Sequence, residues 1–170
     1  GNATTGLGHS NIDGSEKNIY NALNGSKTVS EIIQTTQIDN LDIITSNVDL
    51  SGLEVETAGD NGRAFILREK LSLFFKENSS NYSHIFIDCP PSLSLLTVMA
   101  LVASNSLIVP LQTEFFALEG LTQLVKTIDR VKDNLNSELS IRGIILTMYD
   151  KRNKLSSQVE KEARDYFKEK

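Results

Sequence analysis

Cysteine is nearly missing from these 170 residues: Cys89 stands alone, which excludes an internal disulfide and fits a reducing cytoplasm. No apolar run approaches the ~18 residues needed to span a membrane. The opening Gly1-Asn2-Ala3-Thr4 has no secretion-signal pattern and no initiator methionine, so the chain reads as a piece whose N-terminus lies upstream. Basic residues are scarce at the start, where residues 1–60 hold two against nine acidic, net −7. Residues 151–170 reverse this with seven basic and four acidic, net +3. The overall charge of −5 speaks against an obvious nucleic-acid binder. The basic end can still be a local phosphate-binding face, or an ordinary solvated helix. The 39% of apolar residues suffice for a real core, and residues 1–170 are expected to form a single α/β domain.

Taken in order, Gly1-Asn2-Ala3-Thr4-Thr5-Gly6-Leu7-Gly8 imitates the front of a phosphate-binding loop. Leu7 and Gly8 stand where Lys and Ser/Thr are required, so it is not one. Ser15 can cap a helix running to Leu23, stopped by Asn24-Gly25, and a second short helix covers Val29 to Gln34. Leu41 to Thr45 reads as a strand, and Asn47 to Gly62 as loop. From Arg63 a helical period places Ala64, Leu67, Leu71, Phe74 and Phe75 on one face. Ser92 is a candidate N-cap for an apolar helix over Leu93 to Ala103. Ser106 to Leu111 forms a strand with Pro110 at its end, where proline costs least. Leu118, Leu121, Val125, Ile128, Val131 and Leu135 mark one amphipathic helix, and Arg142 to Tyr149 a further strand. Ser157 and Glu160 fit a capping box for the final basic helix. Strands alternating with helices imply βαβ units and a mostly parallel sheet flanked by helices.

The chemistry-bearing stretch is His84-Ile85-Phe86-Ile87-Asp88-Cys89-Pro90-Pro91-Ser92. Its three apolar residues read as a strand buried on both faces, ending on a carboxylate. Asp is a poor strand residue, and its charge is costly to bury unpaired. At the carboxyl end of a parallel strand Asp88 would face the ligand crevice and could organise Mg²⁺, directly or through water. It could equally be a turn-forming residue that caps the next segment.

Tyr82 to Leu93 resembles the Walker B region of ParA/Soj-type chromosome and plasmid partition ATPases. Val109 to Leu121, with Gln112, Glu114 and Glu119, and Ile145 to Asp150, followed by the basic turn Lys151-Arg152-Asn153, resemble further segments of the same family. Gly1 to Gly8 resembles the segment just after that family's Walker A′ aspartates. The resemblance covers nearly the whole chain in the family's order. It implies a P-loop NTPase-like three-layer sandwich, N-terminally truncated, and a cytoplasmic, nucleoid-associated ATPase. It also implies ATP and Mg²⁺ as cofactors, a homodimer formed on ATP binding, DNA bound without sequence preference, and a ParB-like centromere-binding partner.

By the same resemblance Asp88 is the Walker B acid holding Mg²⁺, by way of water. Pro90 and Pro91 shape a turn beside the phosphates, or are simply a rigid strand-to-helix turn. Met148 and Tyr149 sit where the family's chain passes the nucleotide, although Met148 can also be a core residue. Gln112, Glu114 and Glu119 match a motif near the switch or dimer face, and Arg152, Lys154, Lys161 and Arg164 are candidates for DNA contact. The lysine-bearing Walker A loop is not among these residues, so the 170 residues alone are expected not to hydrolyse ATP. Two other readings are a non-catalytic interaction domain of the same fold and a MinD-like membrane-associated positioning ATPase. The run Glu114 to Gly120 favours the ParA side, and one cysteine argues against an iron–sulfur reductase of the same superfamily.

Overall fold

The structure, a computed structural model, describes residues 2–9, 16–78, 82–90, 92, 94–114 and 116–168. The chain divides into two compact units, Gly1–Ala103 and Ser104–Lys170, each with its own core.

The first unit is mostly short helices: α1 (Asn2–Gly6), α2 (Ile19–Leu23), α3 (Val29–Ile32), α4 (Leu53–Glu56), α5 (Ile66–Asn78) and α6 (Leu95–Ala103). Helix α2 is capped by Asn18, whose side chain accepts from the Asn21 amide; Ser15 lies outside the described residues. Helix α3 carries a complete capping box: the Thr28 side chain accepts from the Glu31 amide, and the Glu31 carboxylate accepts from the Thr28 amide at 2.7 Å. Donation from the Thr28 amide first, and from the Thr28 hydroxyl at 2.8 Å second, holds the Glu31 carboxyl below its usual range. The helix stops at Ile32, because Gln34 and Thr35 become β1, paired antiparallel with β2 (Asp42–Ile43). That pair departs from the expected parallel arrangement; a reversal of six residues between strands can only join them antiparallel. The stretch expected as loop over 47–62 holds a 3₁₀ turn (Val48–Gly52) and α4, which buries Leu53. Helix α5 presents Leu67, Leu71 and Phe74 inward as its period requires, and they pack with Ala22, Ile32, Leu53 and Met99.

The expected strand at Ile85–Ile87 does not form. Residues 84–90 belong to no helix or strand, Ile85 and Ile87 are exposed, and Phe86 is 82% exposed. An apolar run signals a capacity for burial, but a strand needs neighbours for its N–H and C=O groups. No described residue pairs with it. Tyr82, just upstream, is anchored by a 2.6 Å hydrogen bond from its hydroxyl to the Asp42 carboxylate, which raises its own pKa.

The second unit is a βαβα arrangement: β3 (Ser106–Gln112), α7 (Ala117–Asn134), β4 (Ser140–Thr147) and α8 (Lys154–Lys168). Strands β3 and β4 pair in parallel, as expected, from Ser106↔Ser140 to Gln112↔Thr147. The register slips between Leu107 and Ile108, which leaves Arg142 as the extra residue of a bulge. Alternation sends Val109 and Leu111 inward against Leu121 and Val125 of α7 and Val159 and Ala163 of α8. Ile108 and Ile145 point out and are exposed. Pro110 lies within β3 rather than at its end. Strand β4 stops at Thr147, so Met148 and Tyr149 lie beyond it. Helix α8 starts at Lys154 with Asn153 as its cap, its side chain accepting from the Leu155 amide at 2.9 Å. Ser157 is therefore already inside the helix, and the expected box with Glu160 is not its start.

Unfolding by urea should separate the two kinds of interaction in the first unit. Thr28→Ala should cost about 1 kcal/mol through the lost cap. Ile32→Ala, which empties a fully buried site, should cost about 2–5 kcal/mol. Equal losses would contradict the capping geometry.

Candidate functional site

The carboxyl ends of β3 and β4 lie side by side, and in open α/β sheets that edge is where ligands bind. Two connections leave it: residues 113–116 lead to α7, and residues 148–153 lead to α8. The Thr113 amide donates to the Thr147 carbonyl, continuing the ladder one residue past the strands. Met148 then turns with φ +54°, a left-handed conformation that non-glycine residues adopt at a cost of about 1–3 kcal/mol. Its side chain is 79% exposed, so the reading of Met148 as a core residue is wrong.

Under this turn lies a buried hydroxyl pair. Thr113 Oγ1 donates to the Met148 carbonyl at 3.2 Å and stands 3.0 Å from Ser156 Oγ. Thr113 has one hydroxyl proton; with that proton on the Met148 carbonyl, Ser156 is the donor to Thr113. Ser156 is 2% and Thr113 5% exposed. Sequence reasoning missed both residues, which lie 43 positions apart and carry no local pattern.

Tyr149 is held from the other side, donating to Glu160 Oε2 at 2.6 Å, while Arg164 Nε donates to Glu160 Oε1 at 3.0 Å. Hydrogen bonding by Tyr149 first, then by Arg164, holds the Glu160 carboxyl below its usual range; the same bond raises the Tyr149 phenol. Arg152 is paired just as locally, its Nε and terminal nitrogen reaching the two Asp150 carboxylate oxygens at 3.1 and 3.0 Å. That pair lowers the Asp150 carboxyl and raises the Arg152 guanidinium. The Arg152 side chain nonetheless stays 91% exposed. Lys154 and Lys161 are exposed one above the other on α8, and Arg164 follows on the same side.

Gln112 ends β3, Glu114 lies in the β3–α7 connection and Glu119 lies in α7; all three are exposed. The Glu114 amide donates to the Gln112 carbonyl, and Glu119 lies in the first turn of α7, where the helix dipole favours negative charge. A cavity of about 330 Å³ opens beside Gln112 and Glu114, lined also by Val109, Leu111, Phe116 and Leu124; Glu119 is not among its lining residues.

Asp88, Cys89 and Pro90 lie in the exposed 84–90 segment of the first unit; Pro91 lies outside the described residues. Cys89 does not pack as a core residue, since it is exposed. Its thiol is pushed up by desolvation first and the Asp88 charge second, which makes it a poor nucleophile. Among the described residues no three His, Cys, Asp or Glu side chains gather as a metal-binding group. Asp88 is an accessible carboxylate. That donor set suits Mg²⁺, which binds through one or two carboxylates and takes its other ligands from phosphates and water.

A family model described as an AAA domain matches residues 1–141. Along all 170 residues the chain is 45% identical to the chromosome partitioning protein ParA of Caulobacter vibrioides, covering 62% of that protein. It is 43% identical to the sporulation initiation inhibitor protein Soj of Bacillus subtilis, covering 65% of it. The chain thus spans under two thirds of the length of these curated relatives. Among solved structures, cobyrinic acid a,c-diamide synthase from Mycobacterium smegmatis, with bound ADP and magnesium, matches at TM-score 0.85 and 31% identity over 95% of this chain and 64% of that one. A plasmid partition protein from Borrelia burgdorferi matches at TM-score 0.74 and 26% identity over 88% of this chain and 59% of that one. The expected α/β fold is therefore the P-loop NTPase-like one.

The Tyr149–Glu160 bond sets a pH dependence. Glu160 has a depressed folded pKa, so its contribution is present above the unfolded value of about 4.3 and is lost as pH falls through the folded pKa. Tyr149 has a raised folded pKa, so its contribution is present below about pH 10 and is lost as pH rises through the folded pKa. Glu160→Gln should flatten the acid limb of the unfolding midpoint against pH; an unaltered acid limb would contradict the bond.

The motif blocks, the parallel ladder, the matched family model and the ParA and Soj relatives agree: the chain belongs to the AAA-domain family and is similar within it to ParA/Soj-type partition proteins.

Proposed function

We propose that this chain serves in a partition ATPase of the ParA/Soj type, a cytoplasmic, nucleoid-associated dimer switch that segregates a chromosome or plasmid. In this reading ATP binding drives homodimerisation and DNA binding without sequence preference, and a ParB-like partner stimulates hydrolysis. The observation that carries it is identity of 43–45% to ParA and Soj along the whole chain. The 31% identity to the diamide synthase is lower over nearly the same stretch. No helix among the described residues is long and apolar enough to cross a membrane.

Each candidate residue has a part in this reading. Asp88 is the carboxylate for Mg²⁺, its exposed oxygens free to order the ion's water shell. When bound, Mg²⁺ supplies neutralisation of the charge on phosphoryl oxygens. Pro90 and Pro91 stiffen the turn after Asp88. Met148 and Tyr149 bind nucleotide: the exposed thioether offers a soft apolar contact to a planar base, and the Tyr149 ring is fixed by Glu160. Gln112, Glu114 and Glu119 lie on the switch or dimer face. Arg152, Lys154, Lys161 and Arg164 form a basic stripe for the DNA backbone, with Asp150 and Glu160 holding two of its guanidinium groups in set poses.

In the whole protein, Asp88→Ala should lower ATP turnover at least about 100-fold, since charge neutralisation by the metal contributes several kcal/mol. Wild-type turnover in that variant would remove Asp88 from the role. Reversing charge at Arg152 and Lys154 should weaken binding to all DNA sequences alike and lower the salt slope by about 0.9 for each lost phosphate contact. An unchanged slope would take these two residues out of the interface.

A further inference from the structure

We propose that Thr113 and Ser156 are positioning residues for the nucleotide: their buried hydroxyl pair holds Met148 in its left-handed turn and thereby fixes the ligand-facing pose of residues 148–150. The inference rests on the proposed nucleotide-binding role of Met148 and Tyr149.

Three observations carry it. The first is the turn itself. Met148 is bulky, has φ +54°, and exposes its apolar side chain at the carboxyl edge of a parallel ladder. Glycine would fit this backbone at lower cost, and no burial among the described residues rewards the methionine.

The second is the relay beneath it. Ser156 Oγ donates to Thr113 Oγ1, and Thr113 Oγ1 donates to the Met148 carbonyl. Both hydroxyls are buried, and a buried polar network constrains its members more than exposed pairs would. The relay joins the end of β3, the turn after β4 and the first turns of α8. One backbone carbonyl is thereby tied to two separate elements.

The third is the far side of the turn. The Tyr149 side chain is held by Glu160 and the Asp150 side chain by Arg152, while Met148 is held through its backbone carbonyl by Thr113. A loop ordered this way presents its exposed atoms in one arrangement before a ligand arrives. That preorganisation favours affinity, because less freedom is lost on binding. Removal of the relay should therefore loosen ligand binding without touching any ligand atom.

The test uses the whole protein and a fluorescent ATP analogue with Mg²⁺. Thr113→Val and Ser156→Ala should each raise the analogue's Kd about tenfold, the equivalent of one neutral hydrogen bond. Thr113→Ser, which keeps the hydroxyl, should stay within about twofold of wild type. The double variant should lose little more than either single one, because both break one relay. Met148→Gly should raise the unfolding midpoint, by relieving the left-handed turn, and at the same time raise Kd. A purely structural role would move stability and affinity in the same direction. Wild-type affinity in Ser156→Ala and Met148→Gly would overturn the proposal even if Thr113→Val failed to fold. An equal loss in Thr113→Ser and Thr113→Val would overturn it too. If the wild-type protein did not bind the analogue at all, the nucleotide reading would fall, and the positioning role with it.

Discussion

The parallel pairing of β3 with β4 is the constraint on which the 104–170 unit depends. Its register decides which side chains face the helices, and so which apolar residues form the core. Val109 and Leu111 alternate inward and meet α7 and α8; a slip of one residue would turn Ile108 and Pro110 inward instead. The bulge at Arg142 absorbs the one irregularity near the start of the ladder, so the pairing is in step again where it matters, at Gln112 and Thr147. Both strands end at the same level. The loops that leave them, and the side chains proposed to act, are placed by that coincidence.

Much of this was legible from residue type and spacing. The period of Leu121, Val125, Ile128 and Val131 described α7, and all four are buried. Leu67, Leu71 and Phe74 did the same for α5. The parallel strands followed from their alternation with helices. The failures have physical reasons. Ile85–Ile87 has strand composition but no described partner, and composition cannot supply a neighbour. The Ser157–Glu160 pair has the spacing of a capping box, yet Asn153 had already started the helix one turn earlier. The box that does form, Thr28 with Glu31, has the same spacing but stands at a true helix start. The strand read over Leu41 to Thr45 forms as the shorter β2, whereas its two-residue partner β1 is too short to leave a period.

The candidate site was legible in part. Met148 and Tyr149 were found through their resemblance to a family motif, but the conformation that singles them out was not. A left-handed methionine leaves no trace in sequence, since glycine or asparagine would be expected there. Thr113 and Ser156 are common residues in common settings, and only the fold brings their hydroxyls to 3.0 Å. The basic residues after Asp150 were legible as charge, but their internal pairing with Asp150 and Glu160 was not. These pairings orient Arg152 and Arg164, two of the four basic residues proposed to contact DNA.

The central claim is that the edge formed by residues 113 and 148–156 meets nucleotide. The most direct test is an amide chemical-shift map of the whole protein titrated with Mg²⁺ and ATP. Saturable shifts are predicted at Thr113, Met148, Tyr149 and Ser156, with Ser106 and Ser140 at the opposite end of the ladder unmoved. Saturable binding with those four amides unmoved would contradict it.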